Sequence, residues 1–254
     1  MKGYQTILHP SIKSGDNSFS RRGIAIFILE KYSQNITKVS SSSKFDIIWL
    51  RMTTNSSPIY LCFFYAPGEH HNESLRAKFY NVLQKDFDNF NSLGRVFMLG
   101  DSNARLGRYL NDRNIHGKLV SNKNKPLLLG FLDYTGLTIL NKYFAFGNAT
   151  YEIPLKKRSI IDICLADKNM NVKNFEVLDS ILGYTSQTCH KIIKLTFNIS
   201  ACEIIKPALP KASRLNHYSY DKLIKVRDSF YSKIRDLEEI RAPVSRPFEL
   251  HGTA

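Results

Sequence analysis

The chain has 254 residues, and 36 Lys and Arg against 22 Asp and Glu give it a formal charge of +14. Hydrophobic residues make up 43% and aromatics 12%, enough for a sizeable core, which excludes global disorder. No run approaches the roughly eighteen apolar residues of a helical membrane span, and the opening Met1-Lys2-Gly3-Tyr4-Gln5-Thr6 lacks the apolar stretch of a secretory signal. The expected location is therefore intracellular, nuclear or cytoplasmic, with no membrane partner. A surface this basic repels itself unless it meets a polyanion, so nucleic acid is the expected partner class.

Along the chain, segments 24–29, 45–52 and 59–65 are short, rich in Ile, Phe and Tyr, and bounded by Gly, Ser, Asn or Pro. They read as strands, apolar on both faces and so buried on both sides. The serine run 40–43 between them reads as a loop. Asn72 is placed to cap a helix in which Leu75, Phe79, Val82, Leu83, Phe87 and Phe90 recur at three- and four-residue steps. Segment 96–99 is a further doubly buried strand. A second helix is expected over 126–134, with Leu127, Leu128, Phe131 and Leu132 on one stripe and Gly136 just beyond. Strands at 138–140, 161–165 and 191–199 complete an α+β sandwich, a sheet core covered by helices. Cys62, Cys164, Cys189 and Cys202 show no C-x-x-C spacing and are expected as free thiols.

From 201 the pattern changes. Pro207 and Pro210 sit among Lys and Ser, which reads as a linker over 201–218. Beyond it, Leu223, Val226, Phe230, Ile234, Leu237 and Ile240 recur at helical spacing, and Pro243 and Pro247 end the run. The organisation is then a domain over 1–200, a linker over 201–218 and a helical tail over 219–254. The tail either docks on a partner or folds back on its own domain.

Three short segments can carry chemistry. In Gly100-Asp101-Ser102-Asn103-Ala104 an apolar strand ends in Gly, and Asp101 and Asn103 follow two residues apart. In extended chain that spacing puts both on one face, where a carboxylate and an amide can position water and a phosphoryl oxygen. A turn in which both side chains bond their own backbone is the other reading. In Ser159-Ile160-Ile161-Asp162, a carboxylate starts an apolar strand, which is costly unless the group is paired or lies at a solvent edge. His190 falls on the opposite parity from Ile193, Leu195 and Phe197 and so points away from that apolar stripe, as a catalytic or a merely exposed imidazole.

Taken in order, these segments resemble the endonuclease/exonuclease/phosphatase superfamily, which includes DNase I and the abasic-site endonucleases. Residues 3–200 are most similar to the endonuclease domain of non-LTR retrotransposons. The matching residues are Gly3-Tyr4-Gln5, Arg21-Arg22-Gly23-Ile24-Ala25-Ile26, Phe45-Asp46-Ile47-Ile48-Trp49-Leu50-Arg51, Tyr65-Ala66-Pro67, the Asp101 segment, Gly136-Leu137-Thr138-Ile139-Leu140-Asn141, Thr150-Tyr151 and the Asp162 segment. The resemblance implies a four-layer α/β-sandwich of the DNase I-like type that hydrolyses DNA phosphodiesters with Mg²⁺ or Mn²⁺. It implies that Asp101 handles the attacking water or the leaving oxygen and that Asn103 steadies the phosphate. Asp162 would hold His190 in its charged form, and Tyr65 would contact phosphate. It also implies a reverse transcriptase domain in a longer parent chain.

This sequence departs from the family on the metal side. The metal-binding Glu expected upstream of Gly3-Tyr4 has no counterpart in residues 1–15, which contain no Asp or Glu. Cys189 stands where an Asp is usual, and a thiol is a poor ligand for a hard cation. The expected fold therefore lacks its first strand, leaving an unpaired sheet edge and exposed apolar surface. The expected function is a retrotransposon-type DNA endonuclease impaired by loss of metal ligands, or a catalytically dead remnant that only binds nucleic acid. Two basic loops serve either reading: Arg105, Arg108, Arg113 and Lys118 after the Asp101 segment, and Lys156, Lys157 and Arg158 before Ser159.

Overall fold

The computed structural model describes residues 3–10, 23–168, 170–178 and 189–198, all within one compact unit. The expected linker over 201–218 and tail over 219–254 lie outside them. The first half of the chain forms β1 (Tyr4–Pro10), β2 (Gly23–Leu29), the single turn α1 (Glu30–Ser33), β3 (Ile36–Ser41), β4 (Asp46–Met52) and β5 (Ile59–Tyr65). There follow α2 (Glu73–Asn91), β6 (Arg95–Asp101), α3 (Lys125–Thr135), β7 (Thr138–Ile139) and α4 (Leu140–Phe144). The last described elements are β8 (Tyr151–Ile153), β9 (Lys157–Ser159), β10 (Asp162–Ala166), β11 (Val172–Leu178) and β12 (Ile192–Phe197).

A mixed six-stranded sheet, in the order β3-β4-β5-β6-β10-β7, forms the centre. Strands β4, β5 and β6 are apolar on both faces because both faces are covered. One face presents Ile47, Trp49, Cys62, Phe64, Met98 and Ile163 to α2 and α3. Asn72 caps α2 as the sequence predicts, its Oδ1 accepting from Leu75 N at 2.7 Å. Helix α3 begins with Pro126 in its first turn and ends at Gly136, whose φ of 67° is the left-handed cap that glycine takes without strain. The opposite face meets two hairpins. Strands β11 and β12 pack on Met52, Ile59 and Phe97, while β1 and β2 pack on Ile48 and Leu50. The architecture is thus α+β and sandwich-like.

Two local expectations change. Ser40 and Ser41 end β3 rather than opening a loop, since their backbones pair with Trp49 and Ile48. Strand β2 is covered on one face only, and Phe27 and Leu29 are exposed on its outer side, because it belongs to a two-stranded layer. Between the hairpins an apolar trough of about 700 Å³ is lined by Ile26 and Ile28 of β2, Phe197 of β12, and Leu50 and Leu61 of the central sheet.

One close approach fixes the end of the sheet that matters most. β5 and β6 run parallel with Phe64 opposite Gly100 and Tyr65 opposite Asp101. A Cβ at Gly100 would strike the Phe64 carbonyl oxygen, so only glycine lets β6 run on to Asp101.

Candidate active site

The antiparallel pairing of β10 with β6 places Asp162 directly opposite Asp101. Two carboxylates from distant parts of the chain thereby meet at one sheet end. Thr150 fixes the start of β10, its Oγ1 accepting from the backbone N–H groups of Ile161 and Asp162 at 3.1 and 3.0 Å. Buried Asn141 fixes the strand from the other side, donating to Asp162 O and accepting from Cys164 N.

His190 arrives through a bridge between its backbone and that of Tyr151, flanked by bonds from Glu152 N to Cys189 O and from Lys191 N to Thr150 O. Its Nδ1 lies 2.9 and 3.0 Å from the two carboxylate oxygens of Asp162. That bond is the largest cause of a raised imidazole pKa, against the opposing effect of burial. The Tyr151 ring meets the imidazole edge-on at a centroid separation of 4.9 Å. The expectation that His190 points away from the apolar stripe of its strand holds, and His190 is the partner that the cost of the Asp162 carboxylate demands.

Asp101 is 9% exposed. Burial, reinforced by the charge of Asp162, pushes its carboxyl up to about 7, although the Asn103 N–H, His190 and Lys157 pull the other way. The donor atoms of Asp101, Asp162 and His190 all lie within 4.8 Å of one another, close enough to surround one metal ion. A carboxylate pair this close carries the charge imbalance that a divalent cation relieves. Cys189 is not among the converging donors. Its thiol instead lies against the Tyr151 phenol, whose pKa is raised by burial first and then by Cys189 and Asp101.

Asn103 reaches the site by another route than strand alternation. Strand β6 ends at Asp101, and Asn103 has a φ of 46°. Its backbone N–H donates to Asp101 Oδ1 at 2.8 Å and its Nδ2 to Ala66 O at 2.8 Å. The tight turn and the placement of this amide beside Asp101 are therefore one feature. Tyr65 stands beside Asp101 in register, and its phenol acts electrostatically on that of Tyr151.

Several supporting residues carry no sequence signal of their own. The amides of Asn122 and Asn124 both donate to Asn103 O, and Asn124 also donates to Pro67 O. Arg76 of α2 in turn donates to Asn124 Oδ1 at 3.0 Å. Only a long loop folding back on the β5 and β6 ends brings these groups together.

The two basic loops differ. Arg105 makes a two-pronged pair with buried Asp112 at 3.0 and 2.8 Å and donates to Arg158 O. Arg113 bonds Asn111 and Gly117 within its own loop. Arg108 and Lys118 are exposed. In the β8–β9 hairpin, Lys156 and Lys157 are exposed, Arg158 donates to Gly147 O, and Lys157 Nζ lies 5.3 Å from the Tyr151 ring centre. Pro154 and Leu155 form its tip, closed by Lys156 N to Ile153 O. Leu155 is 94% exposed and has a φ of 57°, a conformation that a turn of this kind normally gives to glycine.

No protein-family model matches the chain, and no curated protein matches it by sequence. Solved structures do match. The endonuclease domain of TRAS1, a telomere-specific non-LTR retrotransposon, is 15% identical with a TM-score of 0.56, over 79% of this chain and 82% of that one. The 3′-5′ exonuclease NExo from Neisseria meningitidis is 16% identical with a TM-score of 0.56, over 77% and 80%. NExo as a 3′ phosphatase bound to product DNA hairpin is 13% identical with a TM-score of 0.54, over the same shares. These likenesses establish the fold. Among the described residues no helix is long and apolar enough to cross a membrane.

Proposed function

We propose that this chain, which has the DNase I-like fold of the endonuclease/exonuclease/phosphatase superfamily, hydrolyses phosphodiester bonds in DNA. The observation that carries the reading is the convergence of Asp101, Asp162 and His190 at one sheet end. Phosphodiester hydrolysis gathers negative charge on the non-bridging and leaving oxygens, so it needs donors, a proton acceptor and positive charge at one point.

Each group has a matching role. Asp101, with a carboxyl pushed up to about 7, takes the proton of the attacking water near neutral pH. His190, tied to Asp162 through Nδ1, offers its Nε2 as a charged donor to a non-bridging oxygen. The Asn103 amide, with one N–H on Ala66 O, offers the other to phosphate, and Tyr65 offers its phenol. Thr150, Asn141, Asn122 and Asn124 hold these groups in place.

Mg²⁺ or Mn²⁺ would fit beside these donors, with Asp162 as the carboxylate that would hold it and Asp101 left to take the proton. Such an ion supplies charge neutralisation at the phosphoryl oxygens. With Cys189 in place of a further carboxylate the ion is held weakly, so a high metal requirement is part of the proposal. Duplex DNA is gripped by the β8–β9 hairpin, where Lys156, Lys157 and Arg158 meet phosphates and Leu155 packs against the groove wall. Arg108 and Lys118 add phosphate contacts. Retrotransposon context, with a reverse transcriptase in the same parent chain, accords with this reading.

Nicking of supercoiled plasmid with Mg²⁺ or Mn²⁺, compared with chelator and with Asp101→Ala, tests the proposal. Nicking that needs the metal and is lost in Asp101→Ala is the expected result. DNA binding with a steep salt dependence and no nicking at any metal concentration would establish the binding-only alternative. Nicking that survives the substitution would remove Asp101 from the chemistry.

A further inference from the structure

A second surface lies on the stretch that leads from α4 to Thr150 and the start of β10. Tyr143 is 67% exposed and Phe146 is 55% exposed, on the stretch from α4 to Thr150. Free exposure of two large aromatics so close together is unusual for a surface with no binding role. Lys142 Nζ lies 4.4 Å from the ring centre of Tyr109 and 6.0 Å from that of Tyr143, so one ammonium group sits between two rings. Arg108, next to Tyr109, is exposed.

The stretch is anchored rather than loose, and its anchors lead to the site. Gly147 N donates to Leu110 O, Arg158 donates to Gly147 O, and Thr150 holds the first residues of β10. Tyr151 then follows, in ring contact with His190 and beneath Lys157. Rings and cations thus alternate from exposed Tyr143 and Phe146 to half-buried Tyr151 beside the Asp162–His190 pair. A duplex hides its bases and offers only phosphates and groove edges to such a surface. An unpaired strand offers both base faces, which stack on rings, and phosphates, which meet cations.

We infer that Tyr143 and Phe146 form a stacking platform for a single-stranded segment of nucleic acid flanking the scissile linkage, with Lys142 and Arg108 on its phosphates. This rests on the nucleic-acid reading above and narrows it: the substrate carries an unpaired flank. The excess of positive charge on the chain complements such a strand. Tyr143 and Phe146 are neither core nor site residues, so their removal leaves the fold and the carboxylate cluster unchanged.

The test is binding, measured without metal so that it is independent of cleavage. Fluorescence anisotropy of the full chain is followed with a labelled single-stranded oligonucleotide, a blunt duplex of the same sequence, and a duplex with an unpaired flank. Tyr143→Ala with Phe146→Ala is expected to weaken the single strand by about tenfold or more and the blunt duplex by less than about twofold. Its salt slope should be unchanged, whereas Lys142→Gln should lower the slope by about 0.7. Tyr143→Phe with Phe146→Tyr should bind as the parent does.

Equal loss on single strand and blunt duplex would overturn the inference, as would no loss at all. A change in self-association with unaltered single-strand affinity would assign the rings to a protein contact and also overturn it. If the parent binds no nucleic acid, the underlying reading fails as well. If the parent binds but the platform variants match it, only the inference fails.

Discussion

Two buried aspartates, Asp112 and Asp101, are handled in opposite ways. Asp112 is fully enclosed and receives both arms of the Arg105 guanidinium. Asp101 faces another carboxylate, Asp162, across a strand pair. Burial raises the pKa of both. At Asp112 the fold supplies the opposite charge, whereas at Asp101 it adds a like charge and answers only in part through His190 and Lys157. The difference separates a structural tie from a site: one carboxylate is at rest, and the other is kept in a state that ordinary folding would avoid.

The largest effect should come from breaking the structural tie. Arg105→Ala leaves Asp112 buried without its partner and is expected to cost about 3–5 kcal/mol of stability, read as a lower urea midpoint. Arg105→Lys should recover little of it, because an ammonium cannot form the two-pronged pair. Affinity of the folded fraction for DNA should stay near the parent value, since the guanidinium faces inward. A large affinity loss with normal stability would place Arg105 among the DNA contacts.

At Asp101 the sign reverses. Its folded pKa, about 7, lies above the unfolded value of about 3.9. The stabilising contribution of this group is therefore full below about pH 4 and is lost as pH rises through about 7. Asp101→Asn keeps the acceptor for the Asn103 N–H and removes the ionisation. Above pH 7 the variant should be more stable than the parent by about 2–4 kcal/mol, the gap closing toward pH 4, while cleavage disappears. Thermal unfolding of both proteins between pH 4 and 8.5 checks this. Equal pH dependence would show that Asp101 is not held against its charge.

The same contrast explains what was legible in the sequence. Central strands and the two helices are readable because their apolar periodicity is set by local packing, and the Asn72 cap and the Gly136 stop mark their own ends. Asp101, Asp162 and His190 are readable as an ordered set. Their convergence depends on register, with Asp162 opposite Asp101 and His190 bridged to Tyr151, which no window of sequence contains. Strands β1 and β11 and the short strands β8 and β9 are too weakly patterned to stand out, being half-exposed and two-stranded. The charge count misleads in one respect. Arg105 and Lys157 are equivalent formal charges in basic loops, yet one pairs inside the fold and the other stands beside the site.

The smallest effect is the sharpest on this last point, because stability and binding should move in opposite directions. Leu155 sits at a φ of 57° on the hairpin tip, almost wholly exposed, so its side chain contributes little to folding while its backbone carries strain. Leu155→Gly relieves that strain and is expected to raise stability by about 1 kcal/mol or less. If the leucine serves DNA, the same change should weaken duplex affinity with the salt slope intact, since no charge is lost. Lys156→Gln and Lys157→Gln should each flatten the slope by about 0.9 with stability almost unchanged. A leucine that can be replaced by glycine at no cost in affinity would reduce the hairpin to a charged loop, and its strain would then have no binding role to explain it.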